Sequence, residues 1–322
     1  MVRERCGFLH IPKTAGSSVR SALQRAYPGE RTSGYVFDDV LFGDFSGYDT
    51  FSGPLRTVTL LPGDTPDRTD SSLVLGHFSL HGITRLIDPS DVFTVLREPR
   101  SRLLSHQSFW AMSPDEVNVD YGDYQVHRLA FDGLRRFLEH DAAAHQHDNL
   151  ACRMLAPASL DLPRDRPMTA SERDTAADAA LETLVRLGMT TFVESPRFWA
   201  DIAGFVGLDG PEPRENITDS GGRGAPFRGA QLDRHTIDLL EERTAGDMRL
   251  FRHVVTASGD ATERDAQRIA DAAFAAQAER YGRLVAAAEH EHLHARIATL
   301  EASLQRRSVR VPLAIARRLR GS

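Results

Sequence analysis

The sequence predicts an α/β fold in which helices cover both faces of a central, mostly parallel sheet, with a long helix at the C-terminus. Short, continuously apolar runs, typical of strands buried on both faces, alternate along the chain with segments of helical spacing. The first apolar run leads directly into a loop of small and hydroxyl-bearing residues and then into a helical pattern. A stretch rich in alanine, glutamate and arginine, without proline, from 261 to about 307 predicts the long helix.

The predicted strands are the apolar runs, and the predicted helices follow from helical spacing and capping signals. Core strands are predicted at 7–11, 73–78, 92–96 and 190–193, and a short strand near 55–61 interrupts long loops between 28 and 70. The predicted helices cover 19–26, 99–110, 124–140, 145–156, 171–187, 196–206, 231–244, 246–256 and 261–307. We therefore predict an α/β domain at 1–257, a long helix at 258–305 and a basic tail at 306–322.

Composition and charge exclude several classes of protein. The 322 residues are 41% hydrophobic and 26% charged, as in ordinary soluble domains. The net charge of −6 gives no support for nucleic acid as a partner. Cys6 and Cys152 cannot form a disulfide framework, Cys6 is expected to be a buried free thiol, and no Cys/His spacing predicts a metal site. Without a signal peptide or an apolar stretch of about 18 residues, we expect a cytoplasmic protein.

The C-terminal region carries two further predictions. A partial apolar stripe that includes Leu293, Ile297, Leu300 and Leu304 allows a coiled-coil arm and hence a homodimer, although its alanine-rich seam is weak. Residues 306–320 contain six arginines and no acidic residue, interleaved with apolar residues. Such an amphipathic tail can lie peripherally on an anionic membrane, at the inner face for a cytoplasmic protein. A solvated or disordered end fits these residues equally well.

The most informative single residue is Lys13, the only lysine among 39 lysines and arginines. It lies in the loop between the first predicted strand and its helix, within Pro12-Lys13-Thr14-Ala15-Gly16-Ser17-Ser18. Free backbone N–H groups and the positive end of the helix dipole make such a loop an anion site, and an ammonium suits one atom of a reacting phosphate. The loop lacks the closing Gly-Lys-Ser/Thr of a Walker A loop, which a kinase uses to hold Mg²⁺ and the γ-phosphate. The alternative is that one surface lysine survived by chance.

A second cationic segment follows the predicted strand at 92–96. Arg97 ends that strand and Ser105 comes eight residues later on the next helix, so a guanidinium and a hydroxyl could together hold a second phosphate. Arg100 and Arg102 add positive potential nearby. The alternative for this segment is a turn held by a salt bridge.

His77 ends the predicted strand at 73–78, at the edge of the sheet where open α/β folds bind ligands. A histidine there is a natural general base at neutral pH. The alternative is a core or capping histidine, and His81 could compete for the role of the base. His145 and His147 precede a predicted helix and are expected to be exposed.

Together these segments resemble those of the carbohydrate sulfotransferases that use 3′-phosphoadenylyl sulfate (PAPS), the branch that includes the heparan sulfate 2-O- and 6-O-sulfotransferases. The resemblance is carried by residues 11–18, by Gly76-His77 and by residues 96–105. Weaker similarity at 148–155, 192–198 and 245–251 extends it over roughly residues 5 to 255.

The resemblance implies a P-loop-like fold, PAPS as the sulfuryl donor, adenosine 3′,5′-bisphosphate (PAP) as the product, and no required metal. It implies that Lys13 stabilises the leaving group, that His77 is the base, and that Arg97 and Ser105 hold the 3′-phosphate. The residues implied to hold the 5′-phosphosulfate are Lys13, Thr14, Ala15, Gly16, Ser17 and Ser18. The acceptor is expected to be a hydroxyl on a carbohydrate or glycoconjugate.

Two other functions stay open from the sequence. One is a P-loop kinase that acts on a small molecule, and the other is a non-enzymatic scaffold with a nucleotide-binding fold. The glycine-rich segment at 220–229, with Arg223 and Arg228, could close over a nucleotide or form an ordinary surface loop.

Overall fold

The protein is built on a six-stranded sheet in which every pair of neighbouring strands is parallel. The structure, a computed structural model, describes residues 1–28, 32–42, 48–60, 71–112, 126–210, 232–259 and 261–320. The strands are β1 (Cys6–Leu9), β2 (Thr32–Asp38), β3 (Thr59–Leu60), β4 (Leu73–His77), β5 (Val92–Leu96) and β6 (Met189–Phe192). Their order across the sheet is β3-β2-β4-β1-β5-β6. The pairing places Leu9 of β1 beside Gly76 of β4 and Thr94 of β5, so these three strands end at the same edge.

The helices cover both faces of this sheet. They are α1 (Gly16–Ala26), α2 (Gly53–Thr57), α3 (Leu80–Thr84), α4 (Pro99–Met112), α5 (Val126–Phe131), α6 (Leu134–Glu139), α7 (Ala144–His147), α8 (Leu150–Leu155), α9 (Ala170–Arg186), α10 (Phe198–Val206), α11 (Arg234–Ala257) and α12 (Glu263–Arg320). Short 3₁₀ turns lie at Asp39–Leu41, Tyr48–Thr50, Pro89–Asp91 and Asp141–Ala143. None of the helices, as far as the structure describes them, has the length and apolar content needed to cross a membrane.

Alternation along the strands divides the core into two parts, one on each side of the sheet. Phe8 and Phe93 belong to the smaller part, which α1 and α10 cover. Leu9, Val92 and Leu96 belong to the larger part, which α4 and the remaining helices cover. Because side chains alternate between the faces of a strand, each buried strand contributes to both parts, and the result is the predicted three-layer α/β architecture.

The chain leaves β1 and β5 toward opposite faces of the sheet. The helix that follows β1, α1, places Val19 and Leu23 in the smaller part of the core. The helix that follows β5, α4, places Leu103 and Leu104 in the larger part. Neighbouring parallel strands whose helices diverge in this way leave a crevice at their carboxyl ends, which is the usual ligand-binding position in open α/β sheets.

The strand predictions are confirmed at four positions and incomplete at one. The predicted strands at 7–11, 73–78, 92–96 and 190–193 correspond to β1, β4, β5 and β6 within two residues. The stretch at 28–70, predicted to be loops with one short strand, also contains β2, so the loop prediction is wrong there. Thr32–Asp38 gains its order from pairing with β4 on one side and β3 on the other, which a local pattern does not reveal.

Several helices differ from the prediction. The predicted helix at 124–140 is divided into α5 and α6, and that at 145–156 into α7 and α8. The helices predicted at 231–244 and 246–256 form one helix, α11. Asn149 makes hydrogen bonds to the backbone of this helix on both sides of the predicted break, near Gly246. The side-chain Oδ1 of Asn149 accepts hydrogen bonds from the N–H groups of Gly246 (2.7 Å) and Asp247 (3.3 Å). Its own N–H donates to the carbonyl of Arg243 (2.7 Å), so the chain continues as a helix through this position.

The C-terminal helix α12 begins against the body of the protein and then leaves it. Ala266, Ala270, Tyr281 and Val285 belong to the larger part of the core, and α12 packs along α4. The described side chains from Glu289 to Glu301 are all exposed. The helix runs to Arg320, through the predicted tail, while its described side chains end at Ala302.

Candidate functional site

The candidate site begins with the loop that joins β1 to α1. Lys13 (φ 69°) and Ala15 (φ 63°) both have left-handed backbone conformations, although neither is glycine. The Oγ1 of Thr14 donates to the carbonyl of Ile11 (2.8 Å) and fixes the turn from inside. Such conformations cost about 1–3 kcal/mol each and persist where the surroundings impose them, often at ligand-binding sites.

Gly16 allows this loop to lie directly on the ring of His10. A Cβ atom at Gly16 would fall 1.8 Å from Nε2 of His10, so no other residue fits there without displacing the ring. Burial first, and the charge of Lys13 among others, hold the pKa of His10 well below its usual value. The helix therefore starts against a neutral imidazole.

The first turn of α1 offers N–H groups to an anion. Its N-cap residue, Ala15, provides no side-chain hydrogen bond, and the first turn contains no acidic residue. The first three helical residues are Gly16, Ser17 and Ser18, and both serines are half-buried. A helix start without a side-chain cap or an acidic residue, together with the helix dipole and two hydroxyls, is suited to a bound phosphate or sulfate.

Lys13 projects its ammonium over an aromatic ring. Its Nζ lies 4.4 Å from the ring centre of Phe109 on α4. Burial, and then the charge of Arg97, lower the pKa of Lys13 from 10.5 to about 8. The side chain is thus still mostly charged at neutral pH, but it is a cation that its present surroundings disfavour.

Arg97 joins the carboxyl end of β5 to this loop. Its Nη1 donates to the carbonyl of Lys13 (3.1 Å), and its Nη2 donates to Oε1 of Gln277 on α12 (2.9 Å). Burial lowers the pKa of Arg97; Glu194 opposes this shift, and Arg280 on α12 adds to it. The site therefore contains a run of three cations, Lys13, Arg97 and Arg280. Arg97 lowers the pKa of Lys13, and Arg280 lowers the pKa of Arg97.

Arg100 does not add to this run, which corrects the expectation for that residue, whereas Arg102 lies close enough to Arg97 for the two charges to repel each other. The Nε of Arg100 donates to the buried Glu98 carboxylate (2.6 Å), and its Nη2 donates to Asp271 on α12 (3.1 Å). The other oxygen of Glu98 accepts from the N–H of Ser101 (2.7 Å) and so caps α4. Arg102 is buried, 3.9 Å from the carboxylate of Asp247. The salt-bridged turn is thus correct for Arg100, while Arg97 stays available to the crevice.

Ser105 lies on the side of α4 that faces Lys13. It is half-buried and precedes Phe109 by four residues, so the two share one helix face. Since Phe109 touches Lys13, this face borders the loop. The pairing of Ser105 with Arg97 stays a prediction from the sequence.

His77 ends β4 on the other side of the loop, in a column of rings that crosses the sheet. The ring of His10 stacks between those of Phe8 (5.1 Å) and His77 (4.4 Å), and Phe37 lies 5.6 Å beyond His77. The Nδ1 of His77 lies 2.6 Å from the carbonyl oxygen of His10. Because a carbonyl only accepts, Nδ1 carries the proton, and Nε2 is the basic nitrogen of the neutral ring.

The electrostatics keep His77 neutral. Burial lowers its pKa to about 4, the charges of Lys13 and Arg20 add to this effect, and the hydrogen bond to His10 opposes it. An anion bound in the crevice would offset those cations and raise the pKa of His77. His77 in this position can therefore become a stronger base when an anionic ligand binds.

Glu194 brings a carboxylate to the same edge of the sheet from β6. Its Oε1 accepts from the backbone N–H of Glu98 (3.1 Å), and burial raises its pKa to about 7. Its Oε2 is buried and accepts no hydrogen bond from the described residues. Glu194 is not among the site residues predicted from the sequence, although its position two residues beyond a core strand is a signal for it.

Three further residues of the site were also missed. Phe109 could have been found from its spacing to Ser105. Gln277 and Arg280 carry no local signal, because they reach Arg97 from a helix that is 180 residues away in sequence. The contacts of α12 thus bring the long helix to the edge of the crevice.

The other histidines predicted for this region lie elsewhere. His145 and His147 are buried, contrary to the expectation, because α7 packs into the larger part of the core with Phe137 against His147. His81 is exposed on α3, four residues past the strand end. Arg223 and Arg228 lie outside the described residues. In the described ranges, no three His, Cys, Asp or Glu side chains group as metal ligands, and Cys6 and Cys152 are buried free thiols.

Comparison with models of known protein families gives no match for this chain, and comparison with curated protein sequences gives none either.

Proposed function

We propose that this protein is a sulfotransferase that moves the sulfuryl group of PAPS to an acceptor hydroxyl. One observation carries the proposal. Arg97 and Lys13, from two adjacent strand ends, meet at the crevice between β1 and β5, where the guanidinium holds the loop carbonyl and the two charges repel each other. Two half-buried cations that repel each other call for an anionic ligand, and their separate elements suit a ligand with two anionic ends.

The residues present fit the donor at both ends. The uncapped start of α1, with Ser17 and Ser18, suits the 5′-phosphosulfate. Arg97 and Ser105 suit the 3′-phosphate, because both hydrogen bonds that Arg97 donates within the described part of the chain go to neutral oxygens. A phosphate would replace the neutral amide of Gln277 with an ion pair, which a guanidinium can hold through two parallel hydrogen bonds. We take the fold to be P-loop-like on the same grounds.

His77 and Lys13 supply the chemistry in this proposal. The Nε2 of His77 accepts the proton of the acceptor hydroxyl while the hydroxyl oxygen forms its bond to sulfur. The bond between sulfur and the bridging oxygen breaks, and the phosphate of PAP keeps that electron pair. The ammonium of Lys13 donates a hydrogen bond to the departing oxygen and stabilises its charge. No redox partner is needed, and the backbone N–H groups of α1 position the transferred group.

The acceptor in this proposal is a hydroxyl on a carbohydrate or glycoconjugate, as the sequence resemblance implies. The residues that support this proposal lie at the donor end of the reaction. Phe37 of β2 borders the ring of His77, so an acceptor held at His77 lies near this aromatic side chain.

A kinase and a non-enzymatic scaffold are less well supported. A kinase needs a Walker A ending and a carboxylate for Mg²⁺, and the loop here has no such ending. Asp38, at the end of β2, is engaged by the N–H (2.5 Å) and Oγ (2.6 Å) of Ser79, and Glu98 caps α4. Glu194 is the other carboxylate described at this edge, and burial raises its pKa to about 7, which makes it a weaker ligand for Mg²⁺ than an ionised carboxylate. A non-enzymatic scaffold would need neither a basic Nε2 on His77 nor the ammonium of Lys13, the only lysine, whose charged form its surroundings disfavour.

Thermal unfolding with nucleotides separates the three functions. We expect PAP to raise the melting temperature without Mg²⁺ and ATP to leave it unchanged. Stabilisation by Mg-ATP alone would identify a kinase, and no response to either nucleotide would favour a scaffold.

Turnover tests the role of Lys13 itself. With labelled PAPS and a panel of glycan acceptors, we expect transfer by the wild type. Lys13→Arg should fold and keep its PAP stabilisation but lose most turnover, because a planar fork cannot replace an ammonium at one oxygen. Near-normal turnover of this variant would remove the assigned role.

A further inference from the structure

The distal part of α12 carries an exposed apolar stripe that belongs to neither part of the described core. The last core residue of the helix is Val285, and Leu293, Ile297 and Leu300 are 56%, 50% and 57% exposed. From residue 286 to Arg320 the helix is about 50 Å long at 1.5 Å per residue. An isolated helix is only marginally stable in water, so such an arm normally has a partner.

This stripe is not an extension of the face that packs on the body. Leu293 follows Val285 by eight residues, which turns it about 80° around the helix at 100° per residue. The stripe is therefore a second face, separate from the residues that hold α12 on α4.

The spacing of the stripe matches a two-stranded coiled coil. With Ile297 at position a of a heptad, Leu293 and Leu300 both fall at position d. A β-branched residue at a with leucine at d favours parallel dimers. His290 falls at the preceding position a, where a polar residue specifies register at some cost in stability.

The flanking charges identify the partner as a second copy in parallel orientation. In that register Arg296 occupies position g and Glu301 the following position e. Position g of one strand faces the following position e of the other, so Arg296 of each copy meets Glu301 of its partner, twice by symmetry. The next pair along the seam, Glu289 with His294, is also free of like-charge repulsion.

We propose that residues 286–304 form a parallel, in-register coiled coil with a second copy of this chain, so that the protein is a homodimer held by its C-terminal arm. The proposal does not depend on the proposed function. In such a dimer one two-fold axis relates the two copies of the crevice.

Sedimentation equilibrium of the full chain tests this arrangement. We expect the wild type to be a dimer and Ile297→Glu to be a monomer whose body stays folded while the unpartnered arm loses part of its helical content. Val185→Glu is the matched control, because Val185 is 77% exposed on α9, outside the arm, and this variant should stay dimeric. A monomeric wild type, or dissociation by Val185→Glu as well, would overturn the proposal.

Charge reversal tests the register. Arg296→Glu should weaken the dimer by about tenfold or more in Kd, since it places like charges in both g–e pairs. Adding Glu301→Arg to the same chain should restore the dimer, and failure to restore it contradicts the pairing. In a parallel, in-register dimer the two copies of position 300 face each other, so Leu300→Cys should form a disulfide-linked dimer on oxidation. The native Cys6 and Cys152 should not compete, because both are buried. An absence of this cross-link rules out parallel alignment.

A membrane is the competing occupant of the same stripe. Flotation with anionic phosphatidylglycerol vesicles separates the two. If the wild type is monomeric and binds vesicles, and Ile297→Glu abolishes that binding, the stripe is a lipid-binding face and the coiled coil is wrong.

Discussion

Replacing Lys13 by methionine should stabilise the ligand-free protein, because its ammonium is held among groups that disfavour the charge. Methionine keeps the length of the side chain and can keep the contact with the ring of Phe109 through its sulfur. The left-handed backbone at position 13 is equally strained for both residues, so the change isolates the charge. A residue that lowers the stability of the folded protein is expected where it is needed for binding or catalysis and not for folding.

The magnitude follows from the pKa of the lysine. The fall from 10.5 to about 8 corresponds to about 3.5 kcal/mol, at about 1.4 kcal/mol for each pKa unit. The side chain is half-buried, and solvent screening reduces this figure. We therefore expect Lys13→Met to raise the free energy of unfolding by about 1–3 kcal/mol at pH 7.

The pH dependence of this gain has a definite sign. The folded state holds the proton of Lys13 less tightly than the unfolded state, so the destabilisation is fully present below the folded pKa of about 8. Between about 8 and 10.5 the folded lysine loses its proton while the unfolded lysine keeps it. The advantage of the methionine variant should therefore shrink as the pH rises through this window.

Urea denaturation of both proteins at about pH 7 and pH 10, without nucleotide, measures this difference. Arg136→Met is the matched control: Arg136 is 65% exposed on α6, and its removal should change stability by less than about 0.5 kcal/mol. A methionine variant less stable than the wild type at neutral pH, or a gain that does not change with pH, would refute the reasoning.

Three other predictions concern activity and stability. The kcat/KM of the proposed transfer should fall below about pH 4, because His77 then gains a proton, and above about pH 8, because Lys13 then loses one. A kcat/KM that falls only above about pH 10 would contradict the role of the lysine. Gly16→Ala should abolish PAP binding measured by calorimetry, because the new Cβ displaces the ring of His10, and unaltered binding would contradict the loop geometry. Asn149→Ala should cost about 2–4 kcal/mol in urea denaturation, since two N–H groups of α11 lose their partner and the backbone there is left-handed (φ 48°); a cost below about 1 kcal/mol would contradict the bridge.

The sequence is sufficient for the parts of the site that lie beside their own strands. Lys13, His77 and Arg97 each follow a short apolar run, and parallel strands bring such positions to one edge. The strand β2 was missed because its order comes from pairing with β4 and not from its own composition. Similarly, the continuity of α11 depends on Asn149, about a hundred residues away along the chain.

The remaining parts of the site depend on tertiary contacts that no local pattern encodes. Gln277 and Arg280 reach Arg97 only because α12 packs along α4. The basic nitrogen of His77 is fixed by a carbonyl of another strand, that of His10. The burial of His145 and His147 was not foreseen because short helices at 144–155 have too little periodicity to show which face is inward.

Calorimetric comparison of PAP with adenosine 5′-monophosphate tests the central claim most directly. The two nucleotides differ at the 3′-phosphate, so their difference in affinity isolates the pocket assigned to Arg97. We predict that PAP binds about tenfold more tightly or better, and that Arg97→Gln removes this preference while leaving the binding of the monophosphate unchanged. Equal affinity for the two nucleotides, or a preference that survives in Arg97→Gln, would contradict the proposed sulfotransferase site.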